Sequence, residues 1–207
     1  TKRPEDSGNS TGFYSTTQAA IYSSSRAIKR IQERLTMHAL SLCLFPEGAR
    51  VLDAGCGNGF STRVLLDLGY DAIGVDSSPE MIALAKKNGI NALLGDLRKL
   101  PFPANEFDGL ISISVLQWVA SEASKVAREF RRVLKQGGKG VLQFYPSSSE
   151  ELEAVGKAFR EAGFKVVIHV QNEGNARKRK VFVVVGKKIE KEKRGLSINY
   201  IPLCVTN

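Results

Sequence analysis

Glycines stand at alternate positions in the segment Leu52-Asp53-Ala54-Gly55-Cys56-Gly57-Asn58-Gly59-Phe60. Glycine lets a chain turn tightly and approach a ligand where a Cβ would collide. The run separates an apolar stretch from a helical one. It therefore predicts a turn opening a helix N-terminus, whose N–H groups suit a carboxylate or phosphate. Two more acids follow at comparable places: Asp76 closes the apolar stretch 71–75, and Gly95-Asp96 follows the stretch 91–94. A carboxylate at a strand end accepts hydrogen bonds from ribose hydroxyls. Asp96 suits an adenine amino group, with Leu97 and Met81 against the ring. A lone GxG is often only a turn, and a lone Asp only a cap. Three such features after three successive strands point to a nucleoside.

The spacing says which one. The dinucleotide fingerprint GxGxxG would place a glycine where Phe60 stands, and the pattern here is GxGxG. Together with Gly95-Asp96 it favours S-adenosylmethionine over a nicotinamide compound, with Asp53, Gly55, Cys56, Gly57, Asp76, Ser77, Met81, Asp96, Leu97 and Ser112 as the expected donor-binding residues. Transfer of a methyl group from a sulfonium needs position and orientation above all. No catalytic residue beyond positioning groups is expected. His38 and His169 are read as structural or exposed, and Cys56 as small packing rather than a nucleophile.

The elements that must position these residues alternate. Strands are predicted at 50–54, 71–75, 91–94, 107–113 and 139–145, with helices between them. Ser77 and Ser78 are N-cap candidates, Pro79 lies in the first turn, and Glu80 completes a capping box with Ser77. An earlier helix carries the stripe Ile28, Ile31, Leu35, Ala39 and Leu42. A helix with Val126, Phe130, Val133 and Leu134 on one face is closed by Gly137-Gly138. A last helix (Leu152, Val155, Phe159) precedes strands at 165–170 and 180–185, joined without a helix. The expectation is a doubly wound, mostly parallel, seven-stranded Rossmann-like α/β sheet with an antiparallel edge hairpin. The chain divides into an arm (1–24), one domain (25–188) and a tail (189–207).

The chain has 207 residues and a net charge of +9. Between Arg177 and Arg194 nine Lys or Arg face two Glu, so +7 of that charge lies in one segment. Such a run is either a solvated tail or an anion-binding surface. Arg177, Lys178, Arg179 and Lys180 are the candidate RNA contacts, sequence-blind and salt-sensitive. Cys43, Cys56 and Cys204 share no CxxC spacing, so neither a metal site nor a disulfide framework is expected. No apolar run approaches the ~20 residues that span a bilayer. A soluble intracellular protein without membrane partners is the expectation.

Over residues 48–145 the chain resembles the class I methyltransferases: LDAGCGNG is similar to their first motif, GVDSSPEM to their second, and GDLRKLPFPANEFD to the stretch reaching the fourth strand. That likeness implies that Asp53, Gly55 and Gly57 face the methionine moiety, Asp76 the ribose and Asp96 the adenine. A narrower resemblance rests on Arg3-Pro4-Glu5, Phe13-Tyr14, Tyr22…Arg26…Ile31-Gln32, Ser112-Ile113-Ser114…Gln117-Trp118 and Gln143-Phe144-Tyr145-Pro146. These are similar to the ribosome-biogenesis methyltransferases acting on guanine N7 of small-subunit ribosomal RNA. The resemblance implies ribosomal RNA or a pre-ribosome as substrate. It also implies a small zinc-containing activator protein docked on the third-strand edge, here Asn91 to Leu94, an edge that needs a cover in any case. It places the protein in the nucleus and cytoplasm of a eukaryote, or the cytoplasm of an archaeon. The acceptor pocket would comprise Ser114, Gln117, Trp118, Phe144 and Tyr145, closed by Tyr14 and Tyr22. Aromatic faces typically hold an extruded base, although aromatics at strand ends are commonly core. Guanine N7 carries a free lone pair and no proton, so no general base is needed. A small-molecule methyltransferase of the quinone-biosynthesis type, or a donor-binding assembly scaffold, would share the same donor loop.

Overall fold

The computed structural model describes residues 25–172 and 179–187. The arm residues Tyr14 and Tyr22, the basic pair Arg177-Lys178 and the tail lie outside them.

Helix α1 (Arg26–Leu42) starts at Ser25, whose Oγ accepts the Ile28 N–H at 3.3 Å. Strand β1 (Arg50–Ala54), helix α2 (Phe60–Asp67), strand β2 (Asp71–Asp76), helix α3 (Pro79–Lys87) and strand β3 (Ala92–Leu94) follow in alternation. Strand β4 (Phe107–Ile113) leads through two short 3₁₀ turns (Leu116–Trp118 and Ala120–Glu122) into helix α4 (Ala123–Val133). Strand β5 (Leu134–Phe144), helix α5 (Ser149–Glu161) and strands β6 (Phe164–Gln171) and β7 (Lys180–Lys187) follow among the described residues. The sheet order is β3-β2-β1-β4-β5-β7-β6. The first five strands pair in parallel, and β7 runs antiparallel between β5 and β6. β1 lies between β2 and β4, so the connections leave it in opposite directions. The crevice at its carboxyl end is where open α/β sheets bind ligands.

Side-chain alternation fills both faces. Leu52, Leu110, Leu142 and Val183 point to the side covered by α4 and α5, packing with Val126, Phe130 and Phe159. Val51, Ile111, Val141 and Phe182 point to the other, against Leu35 and Ala39 of α1 and Leu65 of α2.

Three local expectations are corrected. In α1 the covered face comprises Leu35, Thr36, Ala39 and Leu40, whereas Ile31 is 50% exposed. Only the carboxyl half of the helix reaches the sheet. Gly137-Gly138 does not cap α4, which ends at Val133 and passes directly into β5. The glycines instead form an irregularity, since the β4–β5 register jumps from Phe107↔Leu134 to Gly109↔Lys139. The cap of α3 is Ser78, whose Oγ accepts the Met81 N–H at 3.2 Å. Glu80 therefore sits one residue too early for a capping box and accepts the Ser78 hydroxyl instead. Among the described residues no helix is long and apolar enough to cross a membrane.

Candidate active site

The glycine loop closes on the end of β2. The N–H groups of Gly55 and Cys56 both donate to Val75 O, at 2.7 and 3.0 Å, and that of Gly59 donates to Cys56 O. The Gly57 N–H donates to Asp76 Oδ2 at 2.9 Å. These loop amides are thus spent on the protein itself, while the helix N-terminus expected to meet a ligand carboxylate begins at Phe60. The three glycines have positive φ but different surroundings. A Cβ on Gly55 would lie 2.3 Å from a Val115 methyl carbon, and one on Gly59 would lie 2.5 Å from Ile90. A Cβ on Gly57 would meet nothing within 4 Å. Gly55 and Gly59 are needed for packing. Gly57 faces the open crevice.

Asp53 is completely buried, and its Oδ2 accepts the hydroxyls of Ser61 and Thr62, both at 2.6 Å. Its Oδ1 is buried with no hydrogen-bond partner among the described residues. Burial pushes its pKa up to about 6, against the two hydroxyls that hold it down. Asp76 accepts from Gly57 and Ser78 N–H groups, and burial raises its pKa despite them. Two carboxylates are thus held around one loop, each pushed by burial toward its protonated form. Asp96 is different, because Arg98 donates to both of its oxygens, at 2.9 and 3.0 Å from Nε, and lowers its pKa. Arg98 is in turn paired with Glu122.

Other expected donor residues are placed by packing. Cys56 is buried against Gly74 of β2, and burial pushes its thiol pKa far up. Met81 in the first turn of α3 and Leu97 just after β3 are buried, and Ser77 is exposed. Ser112 is a correction: it is buried and donates to Ala54 O at 2.7 Å, tying the end of β4 to that of β1.

The ends of β4 and β5 carry a second polar group. Ser114 stands at φ 60, a strained backbone for a residue with a Cβ. Three hydrogen bonds hold it there. Its N–H donates to Gln143 O at 2.8 Å, its Oγ to Gln143 Oε1 at 2.8 Å, and its carbonyl accepts Gln117 Nε2 at 2.9 Å. The Tyr145 hydroxyl joins the cluster, its pKa raised by burial and opposed by Gln143 and Ser114. Trp118 is half-buried nearby in the chain. Because Val115 packs on Gly55, this cluster adjoins the glycine loop. Phe144 is a second correction, for it is buried in the core under α4 and α5. Alternation along β5 sends Phe144 to one face and Gln143 to the other, so it is Gln143 that joins the Ser114 cluster. A fully buried glutamine in an apolar strand was the available signal.

Of the basic run, Arg179 is exposed and Lys180 half-buried at the start of β7. His38 lies edge-on to Phe182 with its ring centroid 4.7 Å away, and Gln171 Nε2 is 2.8 Å from its Nε2. On the outer edge of β3, Leu93 and Leu94 are 38% and 54% exposed. Among the described residues no group of three or more His, Cys, Asp or Glu is arranged to hold a metal.

Residues 52–142 match the family described as "Methyltransferase domain". The 18S rRNA (guanine-N(7))-methyltransferase of Mus musculus is 36% identical over 194 residues, covering 86% of this chain and 69% of that protein. Its counterpart in Schizosaccharomyces pombe is 31% identical over 199 residues, covering 88% and 74%. Among solved structures, a chain of the complex between the Haloferax volcanii Trm112 methyltransferase activator and its methyltransferase superposes with a TM-score of 0.66 at 22% identity, covering 82% of this chain and 98% of that one. The PH0226 protein of Pyrococcus horikoshii superposes at 0.67 with 22% identity, covering 80% and 93%. The fold is that of the class I methyltransferases, and the chain belongs to the 18S rRNA (guanine-N7)-methyltransferase family.

Proposed function

We infer that this chain transfers the methyl group of S-adenosylmethionine to guanine N7 of small-subunit ribosomal RNA during ribosome biogenesis. The observation that carries the reading is identity to 18S rRNA (guanine-N7)-methyltransferases extending over 86% of the chain, well beyond the donor-binding segment shared with other methyltransferases. The residues present fit the donor. A buried Asp53 oxygen without a partner among the described residues, a Gly57 face open to the crevice and a half-buried Asp76 suit a molecule that carries an ammonium and a ribose.

When bound, S-adenosylmethionine supplies a methyl group already activated on its sulfonium. Asp53 would hold the ammonium of the methionine moiety, and Asp76 the ribose hydroxyls. Asp96 would take the adenine amino group on the lone pairs that Arg98 leaves. Met81 and Leu97 form the apolar floor below. Ser112 fixes the crevice by joining the ends of β1 and β4. Guanine N7 needs no deprotonation, so the acceptor residues orient the base and exclude water; Ser114, Gln117, Trp118, Gln143 and Tyr145 would do this. Arg177 to Lys180 would track RNA phosphates. The Leu93-Leu94 edge of β3 would dock a zinc-containing activator of the Trm112 kind, hiding apolar surface and unpaired backbone groups. The workplace would be that of ribosome assembly, nucleus and cytoplasm in a eukaryotic host.

The test is to incubate the chain and a Trm112-type activator with labelled donor and unmethylated small ribosomal subunits, then digest the RNA to nucleosides. Label in 7-methylguanosine is expected. Label in another nucleoside, or none while small-molecule acceptors are methylated, would overturn the reading.

A further inference from the structure

Two buried amide atoms at the ends of β4 and β5 have no partner among the described residues: Gln117 Oε1 and Gln143 Nε2. Both belong to side chains whose other end Ser114 holds. Gln117 must turn its Nε2 to the Ser114 carbonyl, which only accepts, so its free atom is an acceptor. Gln143 turns its Oε1 to the Ser114 hydroxyl, so its Nε2 is the end left to donate, with the Tyr145 hydroxyl as its neighbour. Gln143 is fully buried, and Ser114 is kept in a strained backbone conformation by the same hydrogen bonds. A buried polar atom left unpaired costs stability, and strain tends to persist where function requires it. One donor and one acceptor are therefore fixed on the same Ser114, the residue before the Val115 that packs on the donor loop.

We propose that the Ser114-clamped amides of Gln117 and Gln143 read the Watson–Crick edge of the acceptor guanine, resting on the assignment of the β4–β5 ends as the acceptor pocket. A guanine attacked through N7 turns its five-membered ring toward the methyl group and leaves O6, N1–H and the 2-amino group on the far edge. Gln143 Nε2 donates to O6, and Gln117 Oε1 accepts from N1–H or the 2-amino group. Adenine reverses the pattern, with an amino group where guanine has O6 and a bare N1 where guanine has N–H. Donor then faces donor and acceptor faces acceptor. Enzymes that take a base out of its stack read it by such edge contacts, and a site built to hydrogen-bond one edge rejects the base that lacks it.

The test uses the full chain with its activator and RNA hairpins identical except at the target, which is guanine, inosine (no 2-amino group) or 2-aminopurine (no O6 and no N1–H). The ratio of kcat/KM between guanine and each analogue is compared across wild type, Gln117→Met and Gln143→Met. The ratio-of-ratios cancels the intrinsic reactivity of N7 in each base. Each substitution is expected to lower kcat/KM on guanine about tenfold or more. Gln143→Met should shrink the guanine preference over 2-aminopurine, and Gln117→Met that over inosine where it meets the 2-amino group or that over 2-aminopurine where it meets N1–H, with donor affinity unchanged by calorimetry. Gln143→Glu, nearly isosteric, is the second variant if the methionine change unfolds the protein. It should lose activity on guanine through repulsion of O6. Equal losses on guanine and both analogues would overturn edge reading while leaving the pocket in place. Unchanged rates on all three RNAs would overturn the pocket assignment itself.

Discussion

A carboxylate with no access to water and an unpaired oxygen should make itself felt in stability as well as in binding. Asp53 is such a group, with a folded-state pKa of about 6 against an ordinary 3.8. The folded protein therefore holds the Asp53 proton more tightly than the unfolded chain does. Stability from this group is greatest in acid, falls as pH rises between 3.8 and 6, and stays low above. At 1.36 kcal/mol per unit the full loss is about 3 kcal/mol, of which about 2 kcal/mol falls between pH 4.5 and 7.5. Asp53→Asn removes the titration. The new amide also leaves a donor unpaired, a cost of about 1–3 kcal/mol that does not vary over this range. Denaturant unfolding of both proteins across that range should show wild type losing about 2 kcal/mol relative to the variant as pH rises. Donor affinity, measured by calorimetry at pH 7.5, should fall in Asp53→Asn, because a cation no longer meets a carboxylate. Parallel pH curves would refute the burial argument. A pH-dependent difference with unchanged donor affinity would refute the assignment of Asp53 to the donor.

Other perturbations separate packing from binding. Gly55→Ala should lose about 2–5 kcal/mol of stability, from strain and collision with Val115. Gly57→Ala should lose only about 1–2 kcal/mol while weakening donor binding; unfolding and calorimetry run side by side check both. Asp76→Ala should weaken donor binding more than tenfold, about 1.5–3 kcal/mol for a hydrogen bond to a charged group, and unchanged affinity removes Asp76 from the site. Replacing Arg177 to Lys180 with Ala should lower RNA affinity and flatten its salt slope by roughly 1–3, with donor binding spared. Leu93→Asp with Leu94→Asp should change stability by no more than about 0.5 kcal/mol and abolish co-purification with a Trm112-type activator.

What was legible in the sequence follows a physical divide. Glycine spacing and strand-end acids carry chemistry in their types, and the structure brings the loop at 55–59 against Asp76 through the Gly57 N–H. The doubly wound, mostly parallel sheet with an antiparallel hairpin at one edge was legible too, since alternating periodicities leave few topologies. Phase was not. Phe144 and Gln143 are neighbours on β5, and which one enters the site depends on which face α4 and α5 cover. Ser112 looks like a ligand contact in sequence, yet it spends its hydroxyl on Ala54 O across the sheet. Gly137-Gly138 after a helix carries the signature of a cap, and only the β4 register shows that it is an irregularity in β5. The pairing of Asp96 with Arg98 is a matter of side-chain placement that spacing does not encode.

A crystal structure with S-adenosylhomocysteine tests the donor crevice directly. Its nucleoside should lie at the carboxyl ends of β1 to β3, with the ribose on Asp76, the ammonium toward Asp53 Oδ1 and the chain passing over Gly57. A ligand bound elsewhere, or those two carboxylates untouched by it, would contradict the account.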